Sequence, residues 1–263
     1  MARVVGSERT LDVLVNCKTY PAVSTKYTET VCTGGIARDG SFTRLYPIPF
    51  RFLDEQQQYD RWDVIRVPVY RDTKDQRPES WHIESGDRIT IIDTIKSEQK
   101  RWEWMHKSIY DSTEKMEAAG ITNGLVEIEP GELYWKPEVK KWSASQLQVL
   151  TQGNLFYSES QMQSLADRVP WQFKLRFKEK STGREFDQKV LAWSYYQGYR
   201  RQLQNLGDAQ AALAAVRDKV YQSIKNPDKA VFAIFGTHSL YKHWMISGLY
   251  HVPKAISQQP RLF

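Results

Sequence analysis

Three sets of residues in this 263-residue chain have types and spacings that could do chemistry. In the run WQFKLRFK (Trp171–Lys178), Lys174, Arg176 and Lys178 alternate with Phe173, Leu175 and Phe177. Successive side chains of a β-strand point to opposite faces, so the run puts a row of cations on one face and an apolar row on the other. Cations two strand residues apart are separated by roughly 6–7 Å, a spacing suited to holding a polyanion. The second set is acidic. Asp87 or Asp93 followed by Glu98-Gln99-Lys100 has the composition of an acid-plus-ExK nuclease centre, where carboxylates hold Mg²⁺ and the lysine assists the attacking water. That chemistry needs ExK on a core strand, and here it opens a polar segment of helical composition. The third set is His238, His243 and His251, whose spacing matches no zinc pattern and which no cysteine joins.

Nucleophile and phosphate-loop signatures are missing from the sequence: it has no Walker loop, GxGxxG, GxSxG or kinase motif. Cys17 and Cys32 stand singly in apolar, strand-like runs and read as reduced, buried thiols. No catalytic residue, metal or cofactor is therefore assigned, and binding is the function to examine. Between Trp171 and Gln204 there are eight cations and three acids, a net of +5 in a chain whose total is +6, with Trp193, Tyr195, Tyr196 and Tyr199 interleaved. A second group in the first half combines Lys18, Tyr20, Lys26, Tyr27, Arg44, Tyr46 and Arg51. Cations neutralise phosphates and release counterions, while aromatic rings stack on bases. The expected nucleic-acid contacts are Lys18, Lys26, Arg44, Tyr46, Lys174, Arg176, Lys178, Arg200 and Arg201. Two duller accounts stand beside this one. The tyrosines could be structural plugs, and aromatics with arginine also furnish protein interfaces, so a docking subunit of a larger effector complex is one alternative, and a metal-dependent nuclease using Asp93, Glu98 and Lys100 is the other.

The elements that must position these residues can be read coarsely. Leu11–Val15, Thr30–Ile36, Ser41–Ile48, Trp62–Tyr70 and Arg88–Ile95 have strand character, and Asp39-Gly40 between the second and third predicts a hairpin turn. Five short strands suit a small barrel of OB type. Phe50–Tyr59 has the look of a short helix. Lys96–Ala119 reads as one long helix closed by Gly120, and Leu125–Ile128 and Leu133–Trp135 as strands around a Pro130-Gly131 turn. Ser143–Thr151 reads as a helix capped by Ser143, and Ser160–Arg168 as a further one. The cationic strand is followed by a helix from about Asp187 to Asn205, then by one capped by Asp208 and ended at Pro227. Val231–Phe235 and Trp244–His251 form a terminal hairpin. No internal repeat is visible.

The expected class is α+β, with one or more OB-like small β-barrels in residues 1–142 and a mixed region of helices packed on an antiparallel sheet in residues 143–263. Composition agrees with a folded chain: 41% hydrophobic, 26% charged and 13% aromatic residues. The N-terminal stretch has no long apolar run and carries Glu8 and Asp12, so a cytoplasmic location without a membrane partner is expected. Three fragments, Lys18–Arg51, Thr122–Pro130 and Val231–Lys254, resemble a family of largely uncharacterised prokaryotic proteins with a dual OB-type domain, often carried on defence or mobile islands. The resemblance implies OB-like barrels and nucleic-acid binding within a bacterial defence or mobile-element system. It supplies no active residues.

Overall fold

Alternation of apolar and polar residues builds two sheets, and the computed structural model describes residues 8–72, 75–83, 85–138, 143–152, 168–237 and 243–258 of them and their connections. The fold is α+β, with two mostly antiparallel sheets and helices beside them. The first sheet holds β1 (Arg9–Lys18), β2 (Ala22–Ser24), β3 (Thr28–Ala37), β4 (Phe42–Ile48), β5 (Asp63–Val69), β6 (Ser80–His82) and β7 (Thr90–Thr94). Its order is β6-β4-β3-β1-β5-β7, with β2 against β3. The β3–β4 hairpin turns as expected at Asp39-Gly40, where Gly40 takes φ +91°, a region that costs a residue without Cβ little.

The second sheet holds β8 (Ile109–Tyr110), β9 (Asn123–Pro137), β10 (Trp171–Glu179), β11 (Glu185–Lys189), β12 (Lys229–Thr237) and β13 (Trp244–Pro253). Its order is β11-β10-β9-β12-β13, with β8 parallel against β9. The two sheets share a connectivity that their sequences do not advertise. In the first, β1 pairs with β3 and β5, β3 pairs with β4, and β6 runs parallel to β4. Tyr70, the residue after β5, then bridges His82 of β6, with N–H to carbonyl distances of 3.0 and 2.9 Å. In the second, β9 pairs with β10 and β12, β10 with β11, and β12 with β13. Val190, the residue after β11, bridges Ile246 of β13 in parallel. Neither sheet is a closed barrel among the described residues: each circuit is joined at one seam by an isolated bridge only.

Several sequence expectations change in detail. The single helix over Lys96–Ala119 is instead α1 (Glu98–Met105) and α2 (Thr113–Ala118), because Ile109–Tyr110 leave to pair with β9 and Ser112 caps a new start by accepting the Lys115 N–H. Pro130-Gly131 is a bulge within one long strand, β9, rather than a turn between two; a Cβ on Gly131 would lie 2.7 Å from the Arg176 carbonyl oxygen across the ladder. Residues 185–189 extend the sheet as β11, so the helix expected from Asp187 begins at Trp193. It is α4 (Trp193–Leu206), stopped by Gly207 at φ +69°. The following helix, α5 (Ala209–Ile224), starts where Asp208 accepts the Ala211 N–H at 2.7 Å. Phe50–Phe52 and Glu55–Gln57 are 3₁₀ turns rather than one helix. The Ser143 helix is α3 (Ala144–Gln152); the helix expected at Ser160–Arg168 falls almost wholly outside the described residues. The terminal hairpin is β12–β13, followed by α6 (Lys254–Ser257). The division expected at 142/143 falls after β9, the central strand of the second sheet.

One apolar core runs through both sheets. Val13, Leu45 and Ile65 contribute from the first, Phe173, Leu175 and Ile246 from the second, and α4 and α5 seat Trp193, Tyr196, Leu213 and Val216 on it. Buried carboxylates tie loops across that core. Glu79 accepts the Thr122 N–H at 2.8 Å, and Glu179 accepts the Thr113 N–H at 2.9 Å. No helix of the described residues is long and apolar enough to cross a membrane. The tightest strand approach is at Gly35, where a Cβ would sit 2.6 Å from the Leu14 carbonyl oxygen. Gly35→Ala is therefore expected to lower unfolding stability by about 1–3 kcal/mol, read as a lower urea midpoint at unchanged m-value; an unmoved midpoint would show that the β1–β3 contact relaxes freely.

Candidate anion-binding cleft

The two sheets meet around the end of β1. Thr19 bridges Ala192, and the Tyr20 N–H donates to the Leu191 carbonyl at 2.8 Å. Beside this seam lies a cleft of about 590 Å³. From the first half it is lined by Asn16–Lys18, Phe50, Asp60 and Arg61, and from the second by parts of α4, α5 and β13. The connection between the third and fourth strands of each circuit reaches it: residues 49–62 in one, α4 and α5 in the other. Four cations, Lys18, Arg61, Arg201 and Lys219, face one carboxylate, Asp60. Phe50, Trp193 and Tyr195 supply buried aromatic walls.

Lys18 is held at the seam by several weak attractions. Its ammonium lies 3.8 Å from the centre of the Phe50 ring and 5.9 Å from that of Trp193, and it donates to the Tyr59 carbonyl at 2.6 Å. Asp60 is 3.7 Å away. Burial nonetheless dominates and pulls its pKa down to about 8, Asp60 and Asp63 opposing the shift. Arg61 donates to the Leu249 carbonyl at 2.8 Å and so spans the two halves. Its side chain is exposed, although the protein packed around it desolvates the guanidinium enough to lower its pKa. It is aimed by an unusual backbone: Trp62, its neighbour, has φ +80°, an outlier for a bulky residue. His251 lines the cleft from β13, and burial, with Lys229 and Arg61 nearby, holds its pKa at about 4. Arg201 and Lys219 are exposed and carry neither a carboxylate nor a hydrogen-bond partner among the described residues.

The structure brings only Lys18 and Arg201 of the expected contacts into this cleft. Arg200 turns toward Tyr20 and Gln197. Arg44 is buried, with Nη2 3.5 Å from the Thr237 carbonyl oxygen, and serves the junction of the sheets. Lys26 is exposed over Tyr27, and Tyr46 is 43% exposed on β4. The cations of β10 form the expected outer row, but each has a carboxylate beside it: Lys174 meets Asp187 at 3.0 Å, Arg176 meets Glu132 at 2.6 Å and Lys178 meets Glu185 at 2.8 Å. Trp193, Tyr195, Tyr196 and Tyr199 are buried. Sequence reading missed Arg61, Lys219 and the placement of Trp193 beside Lys18, since these come together only through the packing of the two halves.

The other chemical candidates separate in space or in type. Glu98 and Lys100 open α1, whose N-terminus Ser97 caps, while Asp93 lies exposed on β7. No group of three or more His, Cys, Asp or Glu among the described residues could hold a metal ion. His238 lies outside the described residues. Cys17 is buried and Cys32 partly so, both free, and burial raises both thiol pKa values, that of Cys17 to about 12.

These features describe an α+β protein of two mostly antiparallel sheets with a basic cleft at their junction. The profile of a domain of unknown function (DUF8757) matches residues 103–263, more than half of the chain, and the chain belongs to that family. A second domain of unknown function (DUF8758) matches residues 9–110, which is the first sheet with α1. Comparison with curated proteins finds no match.

The Lys18 environment makes a signed prediction. A lysine whose folded pKa is about 8, below its unfolded value, leaves the folded state holding fewer protons than the unfolded state above pH 8. The wild type should therefore gain stability relative to Lys18→Met as pH rises from about 8 to about 10.4, measured by urea unfolding of both proteins. A constant difference across that window would rule out the depressed lysine.

Proposed function

We propose that this chain binds nucleic acid without cutting it, through two OB-type units that place a cationic cleft between them. The observation that carries the reading is the convergence of Lys18, Arg61, Arg201 and Lys219 on one cleft containing a single carboxylate. Aromatic walls beside cations are the equipment of single-strand binding, where rings stack on bases and cations follow phosphates. The repeated five-strand circuit, with one parallel contact in each copy, supports the OB-type reading, since an OB fold is a partly open five-stranded Greek-key barrel. It also agrees with the dual-OB resemblance of Lys18–Arg51 and Val231–Lys254.

OB-type units bind on the face of their second and third strands and on neighbouring loops. In the first unit these are β3, β4, the connection around β2 at 19–27, and the described residues 70–72 and 75–79. That rim carries Lys26 and Tyr27, the exposed Tyr46 in register with His82, and Arg71 with its guanidinium 3.6 Å from the Trp81 ring centre. Among the described residues, the exposed large apolar side chains Tyr46, Ile92, Leu147 and Leu206 come from four separate elements, which favours nucleic acid over a protein-docking patch there.

The test is anisotropy of labelled single- and double-stranded DNA and RNA titrated with protein from about 50 to 300 mM salt. Affinity should fall steeply with salt. Arg201→Glu with Lys219→Glu should weaken binding by about tenfold or more and flatten the salt dependence. Lys174→Glu, Arg176→Glu and Lys178→Glu together should weaken it less, because each cation already has a carboxylate beside it. Absence of binding at low salt, or binding indifferent to salt, would remove the proposal.

A further inference from the structure

The cleft discriminates by size as well as by charge. Cavities of roughly 300–1,000 Å³ enclose small ligands, and this one, at about 590 Å³, falls inside that range. A cleft of this size holds one nucleotide, and the remainder of any strand would run over the surface beside it. The cations are also graded by depth. Arg201 on α4 and Lys219 on α5 are exposed and unpartnered among the described residues, so they stand at the mouth. Lys18 lies deeper, its side chain only 15% exposed, among Phe50, Tyr59 and Trp193.

Such a gradient fits a ligand with a charged end and a flat, polar-edged, aromatic end. A phosphate at the mouth would meet two flexible donors that owe nothing to other carboxylates, and charge-assisted bonds of this kind are the strong ones. Further in, a ring system can lie beside the walls while Lys18 offers a donor to its edge. We infer that the cleft takes a single nucleoside phosphate, its phosphate between Arg201 and Lys219 and its base at the inner end, beside Trp193 and within reach of Lys18. The inference rests on the preceding reading only in taking the ligand of the cleft to bear phosphate. The nucleotide has two sources, a free molecule or the phosphorylated end of a strand, and their chemistry at this site is the same.

Isothermal calorimetry on the full chain with AMP, GMP, CMP and UMP tests it. At least one should bind with a dissociation constant below about 1 mM, while its nucleoside and inorganic phosphate, tried singly, bind more weakly. Arg201→Glu with Lys219→Glu alters two exposed helix positions, so the variant should keep its circular dichroism and lose about tenfold or more in affinity. A 5′-phosphorylated trinucleotide that displaces the mononucleotide, where its 5′-hydroxyl form does not, assigns the site to strand ends; failure of both to displace it assigns the site to the free nucleotide. If no mononucleotide binds at about 5 mM, or if the double variant binds as the wild type does, the inference is overturned. Polymer binding without mononucleotide binding sinks this inference alone. Mononucleotide binding without polymer binding sustains it and removes the broader reading.

Discussion

The apolar core shared by the two sheets is the constraint from which the cleft follows. Each circuit leaves a seam spanned by one isolated bridge, and a sheet with an open seam exposes unpaired backbone groups and the edges of its interior. Packing the halves together buries that interior continuously, from Val13 and Leu45 through Phe173 to Ile246. The residues after β1 and β11 are then brought into register, Thr19 against Ala192 and Tyr20 against Leu191. Lys18 precedes this pairing directly, so it must emerge at the junction. Its ammonium could be accommodated there only with attraction from Phe50, the Tyr59 carbonyl and Asp60, and even these leave its proton more weakly held than in water.

Local patterning made much of the fold legible. The Asp39-Gly40 hairpin, the alternation in β10, the Asp208 cap and the β12–β13 hairpin each depend on short-range chemistry, and each is readable within about ten residues of sequence. What was illegible depends on partners far along the chain. Ile109–Tyr110 look helical beside their neighbours but pair with Leu125 and Val126. Pro130-Gly131 carries a strong turn signal, yet the strand continues through it because β10 accepts a bulge there. Two sheets with the same circuit also arise from unlike sequences, because connectivity is set by which strands pair and not by side-chain identity.

Charge shows the same limit more sharply. The window from Trp171 to Gln204 carries almost the whole net charge of the chain, and in one dimension it reads as a basic surface. Folding lays β9 and β11 beside β10, and their carboxylates Glu132, Glu185 and Asp187 fall opposite its cations. Exposed pairs of this kind contribute little to stability, but they reduce the field that a phosphate chain would meet. The cleft has the opposite history. Lys18, Arg61, Arg201 and Lys219 are scattered over some two hundred positions and form no run, yet they converge with one carboxylate among them.

Placement of Arg61 carries a backbone cost that ordinary surface charge does not. Arg61 and Trp62 are the central residues of a turn closed by the Asp63 N–H on the Asp60 carbonyl, and Trp62 is held at φ +80°. Such a backbone typically costs about 1–3 kcal/mol. The strained Trp62 is fixed by its own backbone bonds to Val15 and Ile95 and by guanidinium contacts from Arg61 and Arg101, so the surrounding structure over-determines it. A guanidinium needed only for solubility could sit on any exposed loop without strain. Here it keeps an exposed side chain at the edge of the cleft and is turned toward the Leu249 carbonyl of the other half. Two connections that occupy the same place in the two strand circuits thus meet at one point and bring like charges together. The lining of the cleft they share therefore carries four cations against one carboxylate, an excess of positive charge that the paired cations of β10 do not have.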